Sequence, residues 1–190
     1  MRALGAVVAS GCFIVAGVMV AAGNMLHNGD FEDPREGAGQ LPTAWEHYST
    51  QRQRGGLIEG NGRNDSQCAM MKVHRAPKSG QGLLQVIHVI PGRRYDFEAY
   101  VRNDSGQPLR GNVVGHLVIE WLNEAGREVA RVSSEEWGPS LSRVGWRKVI
   151  IRRAKAPERA AQAKFGIHLF EGTGPAEGAF LVDDVTVIER

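Results

Sequence analysis

The chain has 190 residues, 42% hydrophobic and 23% charged, enough to bury the core of one globular domain. Its formal net charge is only +2 and its Lys and Arg are scattered, which argues against nucleic acid as a partner. Twenty-four Gly and 8 Pro, with short β-branched runs between them, favour an all-β chain.

Residues 3–23 carry no charge, follow Met1-Arg2 and end near the small residues Val20-Ala21-Ala22, the pattern of a secretory signal peptide over residues 1–22. A cleaved signal makes the mature chain secreted, periplasmic or cell-surface. The alternative is an uncleaved membrane anchor, because the apolar stretch approaches the ~20 residues that span a bilayer. A lipoprotein site at Ala9-Ser10-Gly11-Cys12 fits less well, since the apolar run continues past the cysteine. Cleavage after Ala22 leaves Cys68 alone, with no internal disulfide, so stability must come from the core, or from the core and a metal.

From residue 24 to 190 the pattern predicts one β-sandwich domain. Strands are expected over 25–31, 46–48, 56–59, 67–73, 83–90, 95–102, 113–121, 128–132, 146–153, 164–170 and Ala179–Glu189. Gly-rich or polar breaks separate them at 35–42, 61–65, 103–106, 123–126, 133–145 and 172–178. About ten short strands at this spacing predict a two-sheet antiparallel sandwich or barrel.

The last strand carries two adjacent acids, Asp183 and Asp184, inside a Val- and Ile-rich run. On a period of two, Leu181, Asp183, Val185 and Val187 share one face, and Phe180, Val182, Asp184, Thr186 and Ile188 share the other. One carboxylate must then lie among apolar neighbours and needs a cation or donors to meet it. The expected partner is the segment Asn28-Gly29-Asp30-Phe31-Glu32.

These motifs stand in a recurring order: Asn28-Gly29-Asp30-Phe31-Glu32, Trp45, Gln85 before Pro91-Gly92 and Tyr95, Gly145-Trp146, Ala156-Pro157, and Leu181-Val182-Asp183-Asp184-Val185. Together they resemble the carbohydrate-binding modules with a galactose-binding-like jelly roll that are appended to xylanases and related glycoside hydrolases. The resemblance implies a β-sandwich whose terminal strands meet around a structural calcium. It implies Glu32 and Asp183 as carboxylate ligands, helped by carbonyls near Gly29 and in the loop 76–79. Two carboxylates with carbonyls and water satisfy calcium's demand for six to eight oxygens. The alternative is that Glu32 and Asp183 only accept backbone or Arg hydrogen bonds.

Alternation assigns the strand faces. Tyr95, Phe97, Ala99 and Val101 read as core, leaving Glu98, Tyr100 and Arg102 outside. Leu117, Ile119 and Trp121 read as core, leaving His116 and Glu120 outside; Phe165, Ile167 and Leu169 leave His168 and Phe170 outside. The outer sets combine rings with hydrogen-bonding groups, the chemistry that a pyranose with its apolar CH face and hydroxyl rim requires. A solvated sheet face carries similar pairs. Trp137, in a polar loop, is the expected exposed stacking residue, and Trp45 the expected core plug.

No catalytic constellation stands out. The six His are spread singly without His-Glu-x-x-His, and no Ser sits in Gly-x-Ser-x-Gly. Glu98 and Glu120 could be imagined as a glycosidase pair, but outward carboxylates on a sandwich are ordinarily surface groups. The reading is a noncatalytic module for a polysaccharide or other glycan; the alternative is a structural or adhesion protein of the cell envelope that binds a protein partner through the same face.

Overall fold

A computed structural model describes residues 23–33, 41–51 and 57–190, with only the backbone given for 57–59. The expected signal peptide or anchor, and most of the Gly-rich loop at 35–42, lie outside the described residues. The strands are β1 (Glu46–Ser49), β2 (Leu57–Glu59), β3 (Cys68–Lys72), β4 (Gly80–His88), β5 (Arg94–Asn103), β6 (Arg110–Leu122), β7 (Glu128–Ser133), β8 (Arg147–Lys155), β9 (Gln162–Glu177) and β10 (Ala179–Glu189). They form two five-stranded sheets, ordered β1-β4-β9-β6-β7 (sheet I) and β2-β3-β10-β5-β8 (sheet II). Every strand pair within them is antiparallel, as a sandwich requires.

The two inner faces meet in one core. Tyr95, Phe97, Ala99 and Val101 from β5 and Phe165, Ile167 and Leu169 from β9 are buried there, as alternation predicts. Phe97 and Phe165 meet edge to face across the sheets at 5.3 Å, and Trp45 packs on Phe31 at 5.5 Å as a core plug. Each such side chain contributes roughly 1.5–3 kcal/mol by burial.

Four expectations need correction. Residues 25–31 are bends and turns instead of a strand. Side chains and β10 hold this segment: Gln85 Nε2 donates to the His27 carbonyl and Gln85 Oε1 accepts from the His27 N–H, the Met25 N–H donates to the Val187 carbonyl, and Asn24 donates to the Val185 carbonyl and accepts from the Val187 N–H. The Gly-rich stretch 172–178 continues β9 through Glu177, because Ala176 and Glu177 pair with Gly111 and Arg110 of β6. Trp137 is only 3% exposed. Its backbone exchanges both hydrogen bonds with Gly115 and its indole fills the space where a side chain at Gly115 would stand, edge-on to Phe180.

Strict alternation also fails in β10. The pairing with β5 shifts register between Asp183 and Thr186, and Asp184 takes a left-handed φ of 46°. This bulge adds one residue, so Phe180 and Val182 before it and Val185 and Val187 after it all join the core. Asp183, opposite Tyr100, therefore lies on the outer side of sheet II and is still only 1% exposed, because the turn around Arg63–Asp65 covers it.

Candidate functional site

The sequence-predicted residues fall into two groups on opposite sides of the molecule. His116, Glu120, His168 and Phe170 stand on the outer face of sheet I; Glu98, Tyr100 and Arg102 stand on that of sheet II. The expected common face is therefore divided, because β5 pairs with β10 and β8 while β6 and β9 pair with each other. Trp137 belongs to neither face, being in the core.

On sheet I, Tyr48, Gly82, His168 and His116 are cross-strand partners in a single row over β1, β4, β9 and β6. The His168 ring lies 5.2 Å from Tyr48, 5.4 Å from His116 and 5.6 Å from Phe170. His116 and Phe170 stack nearly parallel, 15° apart at 5.5 Å. Glycines make this possible. A Cβ at Gly80 would stand 2.7 Å from the Phe170 ring, and one at Gly82 would stand 2.5 Å from Tyr48 and 2.8 Å from His168. Gly166 similarly leaves room for His168. Three small residues in adjacent strands let the rings lie down against the sheet instead of standing off it.

The result is a shallow hollow of about 310 Å³ lined by Tyr48, Leu84, Glu120, Arg131, Lys164, His168 and Phe170. One end is charged: Glu120 accepts from Lys164 Nζ at 3.0 Å and from Arg131 at 3.3 Å, and Arg131 also holds Glu128 at 2.6 Å. These charges largely cancel. At the other end the imidazoles are neutral. Burial pushes His168 down to about 3, and the neighbouring His116, Arg131 and Lys164 act in the same direction. Burial also lowers His116, whereas burial and the Glu120 charge push the Tyr48 phenol up to about 12. His168 is only 4% exposed, yet its Nε2 has no hydrogen-bond partner among the described residues, nor has Nδ1 of His116. Buried polar atoms normally find partners, so both nitrogens leave hydrogen-bonding capacity unmet beneath this face.

Sheet II offers less. Arg63 lies over the Tyr100 ring at 3.6 Å, and Arg102 lies over Trp146 at 4.7 Å. Glu98 pairs with Lys148 at 2.8 Å. The expected stacking face of Tyr100 is thus already taken by a guanidinium from the chain itself.

The clasp between the chain's ends has a definite form. Asp183 accepts from the Arg63 N–H at 2.7 Å, the Asp184 N–H at 2.7 Å and the Ser66 hydroxyl at 3.3 Å. Glu32 accepts from the Gln67 N–H at 2.6 Å, and the Arg63 guanidinium pairs with Asp184. Both expected metal ligands thus end on one short turn. Among the described residues no group of three or more His, Cys, Asp or Glu is placed to hold a metal ion.

Tyr48, the three glycines, Arg131 and Lys164 were not among the expected site residues. Gly80-x-Gly82 was the available signal, since glycine at alternate strand positions marks one flat face. The expected strand began only at residue 83 and so excluded it.

The sequence matches no family model and no curated protein. Solved structures do match. A family 61 carbohydrate-binding module in complex with β-1,4-galactotriose superposes with a TM-score of 0.60 at 14% identity, over 89% of this chain and 100% of that one. The C-terminal family 22 carbohydrate-binding module of a Clostridium thermocellum protein gives 0.59 at 13%, over 88% and 95%. The fold is that of the carbohydrate-binding-module β-sandwich. A Stig cyclase from Fischerella sp. TAU, in complex with a pyrrolidinylidene-indole, shares it at 0.60 and 15%, over 90% and 98%. Three further matches are larger chains, of which this one spans 21–27%. A fold that carries both binding modules and a cyclase leaves function to the site.

Proposed function

We propose that this chain is a noncatalytic glycan-binding module that holds its ligand on the outer face of sheet I. The observation that carries the reading is the set of four rings, Tyr48, His116, His168 and Phe170, laid over the glycines of β4 and β9. Phe170, 38% exposed, supplies an apolar surface for a sugar's CH face. The Tyr48 phenol, protonated at neutral pH, supplies a donor for a sugar hydroxyl. Glu120, Arg131 and Lys164 form a polar rim whose charges are already paired, which suits an uncharged sugar.

Affinity electrophoresis through soluble β-glycans and galactans, with Phe170→Ala and Tyr48→Ala as variants, tests this. The expected result is retardation of the wild type and its loss in both variants. A wild type retarded by no polysaccharide, or variants retarded equally, would sink the glycan reading and leave a cell-envelope protein that binds a protein partner.

Two finer features belong to the same proposal. The apolar start of the chain acts as a secretory signal and places the module outside the cytoplasm. A structural calcium sits at the clasp, with Glu32 and Asp183 as its carboxylates. Supporting this, burial pushes the Asp183 carboxyl up to about 6 despite its three donors, so its charge is under-compensated by the protein alone.

A further inference from the structure

At one end of the sandwich three adjoining hollows, of about 260, 200 and 410 Å³, open between the loop at 74–79, the start of β6 and the β9–β10 hairpin. Arg75 lines all three, and Arg110 lines two. Both guanidiniums face the same carboxylate, Glu177, at 3.7 Å and 3.8 Å. Those separations are too long for hydrogen bonds, and neither side chain makes another hydrogen bond among the described residues. Each arginine therefore keeps its planar fork of donors available at the mouth of the hollows.

The presentation of Arg75 is built into the fold. Its φ of 61° is left-handed, a conformation that residues other than glycine seldom adopt. The residues on either side hold it there: the His74 N–H donates to Glu171 at 2.6 Å and the Ala76 N–H donates to the same carboxylate at 3.1 Å. Ser79 Oγ donates to Glu171 at 2.7 Å, and the carboxylate is only 5% exposed. A buried acid thus spends its hydrogen bonds on fixing the backbone around one exposed arginine. The opposite wall is as tightly set, since Gly178 turns the hairpin at a φ of 99° against the Pro108 carbonyl, where no side chain fits. Strained backbone held by its surroundings is a pointer to function.

We propose that Arg75 and Arg110 form a second binding site that takes the carboxylate of a uronic-acid sugar. A guanidinium recognises a carboxylate by two parallel N–H···O bonds, and two guanidiniums about one carboxylate-sized space suit one acidic sugar. Glu177 is the internal counter-ion that the ligand's carboxylate displaces. The sheet I hollow, with its paired rim charges, discriminates by stacking and hydroxyl contacts; this site discriminates by charge. The two share no lining residue.

Titration calorimetry of the full chain with oligomers of galacturonate and of mannuronate, and with galactotriose as the neutral control, decides the matter. An acidic oligomer is expected to bind, with affinity falling steeply as salt is raised. Arg75→Gln and Arg110→Gln each weaken it about tenfold, Arg75→Lys fails to restore it because the fork is gone, and Glu177→Gln strengthens it. The three side chains changed here are solvent-accessible, so unchanged melting temperatures are expected and serve as the folding control. The proposal is overturned if neither acidic oligomer binds, if the arginine variants bind like the wild type, if Glu177→Gln weakens binding, or if inorganic sulfate competes as well as the uronate does.

Discussion

Lowering the pH should destabilise this protein specifically through His168. Its imidazole ordinarily titrates at 6.5 and is held down to about 3 in the fold, chiefly by burial and then by the neighbouring His116, Arg131 and Lys164. Glu120, the nearby carboxylate, is already committed to Arg131 and Lys164 and offers little relief. A histidine whose folded pKa is depressed contributes stability above its unfolded pKa and loses it as the pH falls toward the folded value. Each pH unit below 6.5 therefore costs about 1.4 kcal/mol, and at pH 5 the loss reaches about 2 kcal/mol. Urea denaturation of wild type and His168→Gln at pH 7 and pH 5 measures it. The variant keeps a polar side chain of similar reach that cannot take a proton, so its stability should fall less by about 2 kcal/mol over the interval, equivalent to ~4–8 °C in melting temperature. Parallel losses in the two proteins would refute the claim that a neutral, buried imidazole lies under the sheet I face.

Other outcomes follow from the same geometry. Gly82→Val should displace both the Tyr48 and His168 rings, abolish retardation by polysaccharide and cost roughly 1–3 kcal/mol by overpacking, read by affinity gel and thermal melt. Trp137→Ala should cost roughly 3–5 kcal/mol in denaturant titration, a core defect, while any protein that still folds keeps its affinity for ligand. Chelation should lower the melting temperature and added calcium restore it, with no response in Asp183→Ala; a wild-type melt indifferent to both would remove calcium from the clasp.

Much of the architecture was legible because the signal is local. Alternation over β5, β6 and β9 depends only on neighbouring residues, and it placed Tyr95, Phe97, Phe165, Ile167 and Leu117 in the core correctly. Trp45 was legible as a plug from its place directly after the Pro-Thr-Ala turn. Trp137 was misread because its burial comes from a distant glycine: Gly115 on β6 leaves the space that the indole fills. The bulge at Asp183–Asp184 was equally hidden, since an inserted residue shifts faces without changing composition.

The sequence by itself determined which side chains share a face wherever a strand runs without a bulge, as over 97–101, 113–121 and 164–170, because a period of two is a property of the extended backbone. It thereby determined an all-β sandwich with an acid-bearing closing strand. Only the tertiary structure decided which strands became neighbours, through pairings between residues as far apart as Tyr48, Gly82, His168 and His116. That choice put Glu98, Tyr100 and Arg102 on one side and the ring-lined hollow on the other. It turned Asp183 outward under the Arg63 turn, and it assembled the hollow's floor from glycines whose value lies in what packs over them.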